Sequence, residues 1–477
     1  MNIVERIREE NAQRGAGVAI VDGARQWTYS SVLAKVTALR TLLERQGIGP
    51  RCRVGFRCDD GMDYVAGSLA LLEAGAAIVP VATSLTPAET AETLDRIDVH
   101  GMLLQRGSMP PEPADVAVDD PEGEARFLWR PRAVRSAGHA CDDLNPAFIR
   151  FSSGTTGASK GVVLSHQSVY DRTEAANAGL GISEKDRILW VLSMSHHFVV
   201  SILLFLRKGA TMVIGHRAFP TSVVDTAVCG RVTVIYASPV HYQLLAAAGQ
   251  IQKPALSAVR LAISTAMKLP AETAELFRAK FGFELAEAYG IIEVGLPFIN
   301  LNANGGNRGS VGKLLPAYEL KLNHQDGDGI GEVLIRGKGI FDAYFFPWQR
   351  REDCLEDGWF RTGDLGRLDA DGNLFIVGRE KSVIICAGMK IFPVEVEEVL
   401  NAHPAVAESL VYGAAHPLYG QVPEARIVPS APMADPEAAI AQLRRHCYAQ
   451  LTAYKVPKSF AFVDHLPRTV SGKLVRR

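Results

Sequence analysis

Ser152-Ser153-Gly154-Thr155-Thr156-Gly157-Ala158-Ser159-Lys160-Gly161 lies between two strand-like runs, Phe148 to Phe151 and Gly161 to Ser165. Its glycines let backbone N–H groups converge on anionic oxygens, its hydroxyls add donors, and Lys160 adds a positive charge. That chemistry suits the polyphosphate of a nucleoside triphosphate. Other readings compete for the same residues. A Walker A loop needs Gly-Lys-Ser/Thr opening a helix, whereas Lys160 follows Ser159 and precedes Gly161. Gly157-Ala158-Ser159-Lys160-Gly161 formally matches the GxSxG of serine hydrolases. A nucleophile elbow, however, stands at a strand-to-helix turn, and this match runs through a hydroxyl-rich loop into another strand. A merely flexible Gly/Ser loop would be the default for a shorter stretch.

Outward from the loop, the chain alternates strands and helices. Thr28 precedes the helical pattern Val32, Leu33, Val36, Leu39, Leu42 and Leu43, which stops at Gly47. A run around Arg53 to Phe56, a helix from about Met62 to Glu73 and the run Ala77 to Val81 predict strand, helix, strand, hence parallel α/β layers. The Pro- and acid-rich Ser108 to Glu124 reads as a surface connection. Strand-like runs resume at Thr211 to Ile214, Thr233 to Tyr236 and Gly331 to Arg336, making the large domain mixed with a β-rich end. Asp369 to Asn373 is a turn before Leu374 to Val377, and the charged Gly378-Arg379-Glu380-Lys381 breaks the pattern. The expected organisation is a large α/β domain, 1–378, and a small α+β domain, 379–477, joined by a hinge.

The 477 residues exceed what a single core of roughly 250–300 residues holds. A formal net charge of -1, from 51 basic and 52 acidic residues, gives no field that would favour nucleic acid. Phe198 to Leu206, the longest apolar stretch, is broken by Ser201 and closed by Arg207, far short of the roughly 20 residues of a membrane span. It reads as a buried segment. Seven dispersed cysteines without CxxC spacing, and a start without the apolar run of a signal peptide, point to a reducing cytoplasm and no cysteine-built metal site.

With the loop in place, the sequence resembles the adenylate-forming superfamily of acyl-CoA synthetases, peptide-synthetase adenylation domains and luciferases, over nearly the whole chain. The further matches, in order, are Ala288-Tyr289-Gly290-Ile291-Ile292-Glu293, Gly309-Ser310-Val311-Gly312, Gly331-Glu332, Trp359-Phe360-Arg361-Thr362-Gly363-Asp364, Gly378-Arg379 and Pro467-Arg468-Thr469-Val470-Ser471-Gly472-Lys473. The resemblance implies that Ser152, Ser153, Gly154, Thr155, Thr156, Gly157 and Lys160 hold the ATP phosphates. It implies that Glu287, Ala288 and Tyr289 form the adenine site, and that Asp364 takes the ribose hydroxyls with Arg379 beside it. Glu293 resembles the Mg²⁺ ligand, an ion that favours a carboxylate plus phosphate oxygens and waters. Lys473 would bridge the substrate carboxylate and the α-phosphate, and Lys381 occupies the hinge position. Taken singly, each has a bland reading: a turn-forming Asp, a core Tyr, a solvated Glu or Lys, a frayed terminal lysine. Their common order overturns it.

The same resemblance defines departures. Ile292 stands where the family usually has a Thr, so one hydroxyl contact to phosphate is missing. Ala266, in Ser264-Thr265-Ala266-Met267, stands where a glycine pair is common, and Ala266 and Ala288 narrow the acid site. With Phe198, Tyr236 and Ile291, the pocket is expected to be mainly apolar and to suit an aryl, cyclic or short branched acid. Met194 to Ser201 lacks the carboxylate that would meet an α-ammonium. His196 matches the family's gating residue at the reaction centre, although a structural histidine is the commoner outcome for that residue type. The leading expectation is an AMP-forming acid–thiol ligase using ATP, Mg²⁺ and CoA. Rivals are an adenylating enzyme that passes the acyl group to a carrier protein or an amine, and a non-catalytic nucleotide-binding homologue.

Overall fold

The computed structural model describes residues 1–119, 126–134, 138–151, 160–215, 231–249, 256–302, 305–387, 389–433, 435–468 and 474–475. These fall into two compact units. The first runs to Glu319 and takes up Arg336–Gly358; the second comprises Leu320–Ile335 and the chain from Trp359 onward.

Among the described residues, the first unit contains two nine-stranded sheets. In one, Ala77–Pro80, Arg53–Arg57 and Gly101–Gln105 are parallel neighbours. They are apolar runs covered on both faces, as a parallel sheet requires. Pro146–Phe151 joins them in parallel, but pairs antiparallel with Gly161–Ser165, because the loop between is shorter than the dozen or so residues of a parallel crossover. Ala343–Tyr344 adds a short antiparallel strand beside Gly161–Ser165. The second sheet has a parallel block in the spatial order Ala286–Ile291, Leu261–Ser264, Val234–Ala237, Arg187–Trp190, Thr211–Ile214, Val18–Asp22, with antiparallel strands at its edges.

Local signals held where the sequence was periodic. Helix Tyr29–Arg45 starts at Thr28, whose side chain accepts from Ser31 N, and helix Met62–Glu73 has the expected bounds. The connection at 108–124 is corrected: it includes the edge strand Val116–Asp119, with Val118 buried. Its acids are not simply solvated either, since Glu112 and Asp115 clamp Arg130 at 2.6 and 2.7 Å. The apolar segment is buried as expected, as a π-helical turn Phe198–Ile202 followed by helix Leu203–Arg207. No helix among the described residues is long and apolar enough to cross a membrane.

In the second unit, Gly331–Gly337, Phe360–Leu368 and Leu374–Arg379 pair antiparallel in succession. A further sheet, built around the long hairpin Val406–His416 and Gly420–Pro429, packs on helices Pro393–Asn401 and Pro436–Gln450. Ile391, Leu400, Val411, Ile427 and Leu443 share its core.

Candidate active site

In open parallel sheets, ligands collect outside the carboxyl ends of the strands. Several pocket candidates fall at such ends on adjacent strands. His196 follows Arg187–Trp190, Tyr236 lies near the end of Val234–Ala237, Ala266 follows Leu261–Ser264, and Ala288 and Ile291 lie on Ala286–Ile291. Tyr236 stacks on Trp190 with centroids 5.8 Å apart and planes 13° apart, and its hydroxyl bonds to Ser201 and Thr265. His197 meets the edge of Trp190, while half-buried His196 shares Nδ1 contacts with Ser195 Oγ (3.1 Å) and Ser193 Oγ (3.4 Å). The short helix bearing both histidines starts on Asp60, which accepts from Met194 N at 2.8 Å; burial raises the Asp60 carboxyl to about 6. Phe198 is buried against Tyr64 and Phe148.

Glu293 sits in the tight turn between Ala286–Ile291 and Gly295–Asn300. The turn closes through Val294 N to Ile291 O, and a Cβ at Gly290 would stand 2.3 Å from Gly295 O, so only glycine permits the close approach. Three outside contacts then hold it. Phe341 N donates to Glu293 O (2.7 Å), fully buried Arg172 donates through Nη1 to Ile292 O (3.0 Å), and Tyr344 Oη donates to Glu293 Oε1 (3.3 Å). Arg172 also grips Gly339 O through Nε and Nη2, at 3.0 and 2.7 Å. Lys160 Nζ lies 4.2 Å from the centroid of the same Tyr344 ring. One tyrosine therefore touches both Lys160, the last residue expected of a phosphate loop, and the expected metal carboxylate. Burial, then the Glu293 charge, raises the Tyr344 hydroxyl far above its ordinary range, so it stays a donor.

Glu287 is buried, with its carboxylate accepting from the backbone N–H groups of Leu269 and Gly309. It braces two loops. Desolvation outweighs those bonds and lifts it to about 7. Tyr289 and Ala288 are half-buried, and Tyr289 packs edge-on to Phe298 at 6.1 Å.

In the second unit, buried Asp364 lies directly opposite Arg379, whose Nε is 2.8 Å from Asp364 Oδ1. The approach to Asp364 is shaped by Thr362, which donates to Val333 O (2.8 Å) and accepts from Asp364 N (3.0 Å), with Gly363 at φ +70° between them. Val377 is an extra residue on its strand: Gly366 faces Ile376, but Leu365 faces Gly378. Nearby, Arg361 pairs with buried Glu332 at 2.6 Å. Lys381 is exposed on the 3₁₀ turn Glu380–Ser382.

Ser152, Ser153, Gly154, Thr155, Thr156, Gly157 and Lys473 lie outside the described residues. The flanks of Lys473 are described: Arg468 bridges to Leu474, and Val475 N donates to Pro467 O at 2.9 Å. Sequence reasoning missed Tyr344 and Arg172. Neither carries a local motif, and both act through contacts with residues about 50 to 170 positions away.

Residues 7–345 match the family described as AMP-binding enzyme, and residues 395–473 match its C-terminal domain. A 2-succinylbenzoate–CoA ligase of Bacillus licheniformis is 30% identical over 476 residues, covering 96% of this chain and 95% of that protein. A long-chain-fatty-acid–CoA ligase of Yersinia pestis is 32% identical over 354 residues, 69% of this chain, and the chain spans 60% of that relative's length. Among solved structures, o-succinylbenzoate CoA synthetase from Bacillus subtilis, in complex with its acyl-adenylate intermediate, matches with TM-score 0.83 and 25% identity, over 100% of this chain and 97% of that one.

Proposed function

Because the chain belongs to the AMP-binding enzyme family, we propose that it activates a mainly apolar carboxylic acid with ATP and passes the acyl group to the thiol of CoA. The observation that supports this most is the convergence of Lys160 and Glu293 on Tyr344, at the end of the chain segment suited to polyphosphate. The rings of Phe198, Trp190 and Tyr236 favour an aryl, cyclic or short branched acid.

A metal fits this donor set in one way. Among the described residues no three His, Cys, Asp or Glu side chains cluster, so a cage made wholly of protein has no basis there. A single carboxylate is what Mg²⁺ needs when phosphate oxygens and waters complete its shell. Glu293 would hold the ion, which would neutralise phosphate charge when bound.

In the first step a carboxylate oxygen of the acid attacks the α-phosphorus, the bond to the β-phosphate oxygen breaks, and pyrophosphate leaves with the electron pair. Lys160 offsets charge on the departing phosphates, Asp364 and Arg379 hold the ribose, and Lys473 bridges the two reacting anions. In the second step the thiolate sulfur attacks the acyl carbon and AMP leaves, the thiol proton going to solvent or to a nearby base. His196 borders that carbon, and rotation at Lys381, between a large domain 1–378 and a small domain 379–477, exchanges the two steps. We place this chemistry in the cytoplasm.

ATP–pyrophosphate exchange across a panel of acids tests the first step. Exchange with an aryl or cyclic acid, abolished in Lys473→Ala, is expected; no exchange with any acid, or exchange intact in that variant, refutes the mechanism. Mass analysis of products with CoA, a carrier protein or amines then identifies the acceptor, and an amide or a carrier-bound product would replace CoA in the reading.

A further inference from the structure

Arg150 is a charged residue that no step above uses. It lies on the strand Pro146–Phe151, where Ile149 joins the core on one face. Alternation along the strand turns Arg150 to the other face, that of Phe148, whose ring meets Phe198 at 6.3 Å. Strand register fixes its neighbours. Arg150 is opposite Val162, and Val162 is opposite Tyr344, so the three form one row across the sheet and face the same side. Tyr344 uses that side to reach Glu293, and the Arg150 charge is felt by Glu293, Tyr64 and Arg172.

Among the described residues, Glu293 is the carboxylate whose charge favours the Arg150 cation. No hydrogen bond or ion pair of the Arg150 guanidinium is found among the described residues, and Arg172, the neighbouring cation, is committed to backbone carbonyls. Burial lowers Arg150 to about 10, which leaves it cationic at neutral pH. On the same side, fully buried Tyr64 Oη also has no partner among the described residues. A half-buried guanidinium and a fully buried phenol that make no hydrogen bond among the described residues are better satisfied when an anion completes the set. A guanidinium offers that anion five N–H donors in a planar fork.

We propose that Arg150 is an anion-binding residue of the active site, taking an oxygen of the ATP phosphates or of the acid's carboxylate on the side of Glu293. The proposal rests on the carboxylate-activating reading above. A phosphate and a carboxylate share the geometry the fork recognises, and substitution separates them.

The test compares wild type with Arg150→Met and Arg150→Lys in the full chain. Calorimetry measures binding of MgATP, magnesium pyrophosphate and adenosine, and exchange kinetics give KM for whichever acid the panel finds. If the anion is phosphate, Arg150→Met weakens MgATP and pyrophosphate at least tenfold and leaves adenosine unchanged. If it is the carboxylate, KM for the acid rises at least tenfold with MgATP binding unchanged. In either arm Arg150→Lys keeps part of the wild-type binding, and Tm of Arg150→Met stays level or rises, because an apolar side chain replaces a half-buried cation that makes no hydrogen bond among the described residues. Wild-type values in both arms overturn the assignment alone. So does a fall in Tm with adenosine affinity lost as much as MgATP affinity, which marks a structural role. Wild-type protein that binds neither nucleotide nor pyrophosphate overturns the activation reading together with this one.

Discussion

Replacing Arg172 with Met separates the positioning of Glu293 from its chemistry. Arg172 donates three bonds to two carbonyls, Ile292 O and Gly339 O, and so ties the turn before Glu293 to the loop at Gly339. That loop fits so closely that a Cβ on Gly339 would stand 2.6 Å from Arg172 N. Methionine fills much of the volume but leaves both carbonyls without these donors, at about 1–3 kcal/mol each. Removing a fully desolvated cation offsets part of that, so the net loss is expected at about 2–5 kcal/mol. A domain stable by about 5–15 kcal/mol still folds. Urea unfolding followed by tryptophan fluorescence should show the lower midpoint. In exchange assays the Mg²⁺ concentration for half-maximal rate should rise, since the backbone carrying Glu293 has lost one of its ties. Arg172→Lys, which keeps charge without the fork, should fall between. A variant as stable as wild type, with unchanged Mg²⁺ dependence, would refute the reasoning.

Tyr344→Phe removes only the hydroxyl on Glu293 and keeps the ring beneath Lys160; KM for MgATP should rise about fivefold to tenfold, matching a bond of about 1–1.5 kcal/mol, with Tm nearly unchanged. An equal weakening of adenosine binding, measured by calorimetry, would contradict it. Glu287, raised from 4.5 to about 7, holds its proton in the folded state where the unfolded chain has lost it. Its contribution therefore makes stability fall as pH rises from about 4.5 to 7, by about 3 kcal/mol, and level off above. Urea midpoints of Glu287→Gln across that range should lack this fall; parallel curves would dismiss the shift. Ala266 is held at φ +73°, which costs an L-residue about 1–2 kcal/mol. Ala266→Gly should be neutral or more stable by about 1 kcal/mol and should widen the set of acids that support exchange; a lower Tm with an unchanged acid profile would count against a strained, pocket-lining alanine.

Much of this was legible in the sequence, for local reasons. The Thr28 cap, the period of Val32, Val36, Leu39 and Leu43, and the buried runs at Arg53 and Ala77 each specify structure within a few residues. Asp364 and Arg379 could be named because each stands in a short motif, and the hairpin brings them together. Tyr344, Arg172 and Arg150 carried no such mark. Their roles come from register and from contacts across the sheet, which composition and periodicity do not encode. The edge strand at Val116–Asp119 was hidden by its proline- and acid-rich setting, whose charges turned out to be occupied by Arg130.

The extra residue Val377 works as a phase shifter. Side chains on a strand alternate, so one surplus residue between Ile376 and Gly378 reverses which face every later position presents. Were Val377 an ordinary rung of the ladder it would face Leu365, Gly378 would face Asp364 and the guanidinium would leave on the far face; because Val377 is skipped, Arg379 falls opposite Asp364. Deleting the single codon for Val377 should therefore leave a regular ladder with Arg379 still opposite Asp364, whereas deleting Gly378 as well should set Arg379 opposite Leu365, on the far face, and break the ion pair.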